Sequence, residues 1–217
     1  MNRLAIASTT AVVVALAATL SGCGVFADKG TGKTVTESRT ASDFTSIELR
    51  GIGDVTVNVG TDYSLTVVAD SAIIDDVTTS VVDGALLLDK TFKVGDPHIE
   101  FVIGVPSLAS FDLDGAGNVT ITGISGSRFA ASVMGAGDVT LAGTVEHLSL
   151  DLSGAGTITS TALTASDVVA TLAGTGTIRP FATDTLDARI AGVGEILYQG
   201  DPSVTSSVAG VGRVDKD

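Results

Sequence analysis

The side chains able to do chemistry are few, and their types narrow the options before any fold is considered. There is one cysteine, Cys23, and there are two histidines, His98 and His147, far short of the three or four converging ligands a zinc site needs. Serine is plentiful, yet no Gly-x-Ser-x-Gly stands between a strand and a helix, where a nucleophile elbow would place it. Polar groups do recur: the residues that follow successive Gly-x-Gly tripeptides are Asp54, Asn118, Asp138, Thr157, Thr177, Glu195 and Arg213. Calcium-binding solenoids repeat an aspartate at such turns about every nine residues, whereas here the period is doubled and about half the positions lack a carboxylate. Polar turn residues are the simpler reading, with a structural calcium between Asp114 and Asp138 left open. Asp112, Asp151, Arg128, Arg179 and Arg189 would supply the acids and arginines of a polysaccharide lyase or glycosidase. Against that, the chain has no tryptophan and only 2 tyrosines, so flat aromatic platforms for sugar rings are nearly missing. The expectation is a non-catalytic protein with no catalytic, metal or cofactor residues; a carbohydrate-active enzyme is the alternative.

Charge and the leader restrict the partners. The formal net charge is −13, with the acids scattered rather than blocked, so the chain repels nucleic acid and anionic headgroups. One basic residue, Arg3, precedes an apolar run from Leu4 to Leu20 that is short and rich in alanine and threonine, the pattern of a signal peptide over residues 1–22. A single thiol in an exported protein has no disulfide partner. Leu20-Ser21-Gly22-Cys23 resembles the lipobox of bacterial lipoproteins, which implies that Cys23 is acylated and becomes the new N-terminus. The expected address is the extracytoplasmic side of the cell membrane, held by lipid. Residues 23–40 carry glycine, threonine and mixed charge without periodicity and read as a flexible tether reaching roughly 20–25 Å. The folded domain is expected over 41–217.

Whatever the outward side chains do, a repeat must place them. From Gly51 onward Gly-x-Gly occurs seven times, and from Gly115 the first glycines of these copies are separated by 20, 19, 20, 18 and 18 residues. Two positions before each of these copies stand Leu113, Val133, Leu152, Leu172, Ile190 and Val208; four positions after stand Val119, Val139, Ile158, Ile178, Ile196 and Val214. Alternation on both sides of the pair predicts two or three short strands per repeat, with the glycines at the corner and these columns inside. A repeat of 18–20 residues buries its apolar row only by stacking on others, so the predicted fold is an all-β, β-helix-like solenoid with Gly-x-Gly corners. Glycine suits the corner through positive φ and through close backbone approach. No copy carries the following helix and third glycine or lysine of a phosphate loop.

The earlier part is less regular. Gly51-Ile52-Gly53 lies 64 residues before the next copy, which implies an elaborated coil with insertions. Asp70 to Asp76 reads as one helical turn capped by Asp70, and Val81 to Leu88 as a hairpin turning at Asp83-Gly84.

The series Leu113-Asp114-Gly115-Ala116-Gly117, Val133-Met134-Gly135-Ala136-Gly137 and Leu152-Ser153-Gly154-Ala155-Gly156 resembles the auto-transporter adhesin, head GIN domain family. Phe44 to Leu49 is similar to its opening, and Tyr198-Gln199-Gly200-Asp201-Pro202 to its Tyr-x-Gly-x-Pro ending. The resemblance implies a β-helix-like, envelope-associated domain and brings no catalytic residues. The expected partners are the membrane, through the lipid, and an unidentified surface protein or glycan, met by a strand face or by the loops between Gly60 and Pro106.

Overall fold

In the computed structural model, which describes residues 32–90 and 98–217, the alternating segments are strands and each Gly-x-Gly is a corner. The expected signal peptide, Cys23 and residues 24–31 of the expected tether lie outside the described residues. Eight short strands come first: β1 (Thr34–Arg39), β2 (Ser46–Leu49), β3 (Asp54–Val59), β4 (Ser64–Asp70), β5 (Thr78–Val82), β6 (Ala85–Asp89), β7 (Glu100–Val105) and β8 (Ser110–Leu113). Then follow β9 (Val119–Val133), β10 (Ala136–Leu152), β11 (Ala155–Leu172), β12 (Thr175–Ile190), β13 (Val193–Tyr198), β14 (Ser203–Val208) and β15 (Val211–Lys216). The all-β solenoid is as the repeat predicts, with one difference. Each of β9 to β12 is a single strand of 15 to 18 residues from one corner to the next, not two or three short ones. Parallel neighbours keep pairing around the bends, so the strand is bent without being interrupted.

Register proves the columns. Val55, Val119, Val139, Ile158, Ile178, Ile196 and Val214 stand side by side on successive rungs. So do Leu49, Leu113, Val133, Leu152, Leu172, Ile190 and Val208. All are buried except the last of each column, where Val214 is half-buried and Val208 is 45% exposed. Each fully buried member contributes about 1.5–3 kcal/mol of transfer free energy, which no rung collects alone.

The two glycines of a corner are required for different reasons. At Gly154 a Cβ would lie 1.9 Å from the carbonyl oxygen of Gly135 one rung below, so the requirement is contact. At Gly156 the same crowding is joined by φ of +145°, a backbone that side chains avoid. The expectation of positive φ therefore holds for the second glycine of each pair from Gly53 to Gly194 and for none of the first.

The first coil is built otherwise. β4 runs antiparallel between β1 and β7, and β5 runs antiparallel to β6, whereas β3, β7 and β9 are parallel, as are β6, β2 and β8. The β5–β6 hairpin turns at Asp83 and Gly84 with φ of 50° and 79°, as the Asp-Gly pair predicts. The helical turn is a single 3-10 turn, Ile74–Asp76, and its cap is Ile73 rather than Asp70. Asp70 instead accepts hydrogen bonds from the backbone N–H groups of Ala72 (2.8 Å) and Gly32 (2.7 Å). Part of the expected tether is also ordered: Thr34–Arg39 is an edge strand. It has no apolar row, so periodicity is silent there; its backbone bonds to β4 and the Arg39 guanidinium, which donates to the carbonyls of Val77 (2.6 Å) and Ile74 (3.1 Å), hold it.

Candidate binding face

Side chains between the inward columns point out of the wall and form ladders along the stack. Seven residues before each corner, Arg128, His147, Asp167 and Thr185 stand in register on β9, β10, β11 and β12. Thr185 Oγ1 donates to Asp167 Oδ1 (2.5 Å), and His147 Nδ1 lies 3.1 Å from Asp167 Oδ2. The carboxylate thus orients the imidazole from one side and is satisfied by the hydroxyl from the other. Two residues along each strand, Ala130, Ser149 and Val169 make a small-residue surface beside this ladder. Between them lies an open depression of about 410 Å³, lined by Ala109, Arg128, Ala130, His147, Ser149, Asp167 and Val169, together with Phe129 and Leu148. His147 lies within β10, because the whole coil is one strand. The outward positions follow the same repeat as the inward ones, and the spacing from each Gly-x-Gly aligns Arg128, His147 and Asp167.

The other candidates are dispersed. Asp112, Asp151 and Arg189 share an outward column with Glu48, Ser132 and Thr171. Asp112 and Asp151 are two rungs apart, a separation of about 10 Å along the wall. Asp151 accepts a hydrogen bond from Ser153 Oγ (2.6 Å), and Arg189 pairs with Asp187. Arg179 stands beyond the next corner, in register with Thr159, and pairs with Asp217 at 2.8 Å.

Asp112 has an acid neighbour, Glu48, directly across the rung. The Arg50 guanidinium donates to both Glu48 oxygens, at 2.5 and 2.9 Å, and holds Glu48 below the usual carboxylate range. Burial first, then the charges of Asp114 and Glu48, push Asp112 up. Asp114 is also raised, by burial and then by Glu48.

The polar residues after the corners hold rungs together. Asp54 Oδ1 accepts from the Asn118 backbone N–H (2.8 Å), Asp138 Oδ1 accepts from that of Thr157 (2.9 Å), and Glu195 pairs with Arg213 at 3.0 Å. Asp114 faces Glu48 rather than Asp138, and among the described residues no three His, Cys, Asp or Glu side chains are placed to hold a metal. His98 Nε2 lies 3.6 Å from Asp54 Oδ2, at the start of β7.

A buried interior of stacked columns and outward ladders on extended walls define a β-solenoid that presents rows of side chains on its surface. The chain belongs to the head GIN domain family: the family described as "Putative auto-transporter adhesin, head GIN domain" matches residues 43–202. It is similar to the crystal structure of a putative adhesin from Bacteroides fragilis, with 26% identity and a TM-score of 0.70 over 87% of this chain and 99% of that one. A putative lipid binding protein from Parabacteroides distasonis shares the fold, with 21% identity and a TM-score of 0.52 over 87% of this chain and 98% of that one. No curated protein matches the chain. Among the described residues no helix is long and apolar enough to cross a membrane.

Proposed function

We propose that this protein is a non-catalytic adhesion module of the cell envelope, anchored by lipid on Cys23 and binding a surface partner through the wall formed by β9 to β12. The observation that carries the reading is the ladder Arg128–His147–Asp167–Thr185 beside an open depression, on a domain of an adhesin family. An oriented imidazole and an arginine on an extended wall are suited to gripping a ligand's polar groups. The anchor is tested by fractionating cells that carry Cys23→Ala: release from the membrane fraction is expected, and a mutant that stays membrane-bound removes the lipid anchor. Adhesion is tested by saturable binding of the protein to intact cells with crosslinking of the bound protein or glycan; no saturable binding sinks it.

A second reading, a polysaccharide lyase or glycosidase, is favoured by Glu48 and Asp112. They stand on adjacent rungs, about 4.8 Å apart along the stack, with proton affinities pushed in opposite directions. A panel of polysaccharides decides: cleavage that disappears in Asp112→Asn makes the protein an enzyme.

A further inference from the structure

Six arginines fall among the described residues, and five of them are in ion pairs: Arg39 with Glu37, Arg50 with Glu48, Arg179 with Asp217, Arg189 with Asp187, and Arg213 with Glu195 and Asp215. Arg128 is the exception. No carboxylate among the described residues pairs with it, although the chain has 25 acidic residues against 12 basic ones. Its register partner on the neighbouring rung is His147, and both line the depression together with Ala109. The nearest acid in the ladder, Asp167, is one rung further on and is already engaged by His147 and Thr185. The depression thus has a guanidinium at one end, an oriented imidazole beside it, and a floor of small side chains.

Building on the proposed adhesion role, we propose that this depression binds the carboxylate of an acidic sugar, with Arg128 as the anion ligand and His147, its Nδ1 held by Asp167, accepting through its other ring nitrogen from a sugar hydroxyl. A guanidinium presents a planar fork that matches a carboxylate with two parallel hydrogen bonds, which a lysine cannot reproduce. The floor of Ala130, Val169 and Ala109 takes the C–H face of a ring, and Ser149 offers a hydroxyl to the ring substituents. The volume of about 410 Å³ sits at the lower end of small-molecule sites, which suits one sugar unit of a longer polymer running along the open wall. An acidic peptide is disfavoured by the backbone. At His147 and Asp167, β10 and β11 are paired on both sides, so neither offers a free strand edge for an extended peptide to join.

The test is titration of the purified full-length chain with oligogalacturonate, its methyl ester and oligoglutamate. Oligogalacturonate is expected to bind, the uncharged ester to bind about tenfold more weakly or worse, and oligoglutamate to fail. Arg128→Ala is expected to weaken oligogalacturonate by about tenfold or more, the loss of a charge-assisted pair, with Arg128→Lys recovering only part of it. His147→Gln should cost a smaller factor, and Arg189→Ala, on the same wall but already paired, should change nothing. Thermal melts of each variant identify any that fail to fold, and Arg128→Gln then replaces Arg128→Ala. Equal binding of acid and ester, equal binding of the peptide, or wild-type affinity in folded Arg128→Ala and Arg128→Gln each overturn the assignment. If cells still bind saturably while these outcomes occur, the adhesion reading stands and only the acidic-sugar site falls.

Discussion

From Gly115 onward each rung is held by a near copy of itself, whereas before Gly115 the same interior columns are continued by short strands, two of which, β4 and β5, run the opposite way. The regular part relies on backbone: Gly stacked on Gly, and Val, Ile or Leu stacked on its equivalent. The irregular part relies on particular side chains. Arg39 fastens an edge strand to the carbonyls of Ile74 and Val77, and Asp70 gathers the N–H groups of Gly32 and Ala72. Repetition makes one requirement common to all rungs, while the first coil spreads its requirements over residues that occur once.

The sharpest way to break this comparison is at the corners. Gly154→Val is expected to cost about 3 kcal/mol or more, since even its Cβ would meet the Gly135 carbonyl oxygen at 1.9 Å. Gly60→Ala, in the first coil, should cost only about 1 kcal/mol, because φ is +88° but nothing lies within 4 Å of the added atom. Urea titrations of the two variants check this, and equal midpoints would remove the corner-contact account.

Next in size is Arg39→Ala, which removes two charge-assisted bonds to backbone carbonyls, a loss of about 1.5–3 kcal/mol. Amide hydrogen exchange should quicken in β1 and in the facing residues of β4 and leave β10 and β11 unchanged. Uniform acceleration would mean that the first coil and the regular stack open as one unit.

The smallest effect sharpens the outward faces. Asp112 has its proton affinity raised in the folded state, so its contribution to stability is present in acid and is lost as pH rises through the raised value. Asp112→Asn stays neutral and should therefore stabilise the protein at neutral pH, by roughly 0.2–1 kcal/mol on the scale of cross-strand pairs. Melts repeated below the ordinary carboxylate range should show the gain vanish; a gain independent of pH would mean that charge is not its cause.

The interior was legible because its requirement is periodic. Leu152 and Ile158 mean little alone, but each stands in a column that the stack repeats, and burial selects apolar residues at every rung. The strand Thr34–Arg39 was not legible, since five of its six residues are polar or charged and backbone pairing to β4 decides its conformation. Asp70 has the residue type of a helix cap, and the chain beside it, at Gly32, supplies the competing donor that no local pattern reveals. The candidate face was legible only as scattered residues. Arg128 was a candidate and His147 was set aside, because the unbroken path of β10 around its bends, which brings them together, is a property of the pairing and not of either segment.

The coils differ in length, yet the register shifts that absorb the difference occur only between residues 140 and 143 and between residues 160 and 167. Both stretches lie past the corner and before the ladder that begins at Arg128, His147 and Asp167. The vertex there works as an expansion joint: residues are gained or lost at it while Gly137, Gly156 and Gly176 stay in line on one side and the ladder stays in line on the other. A peptide tag spliced in at Thr161 or Ala162 would be extruded as a side loop, leaving the phase of every later rung intact. The chain can therefore change length by evolution or by engineering without redrawing the surface it presents.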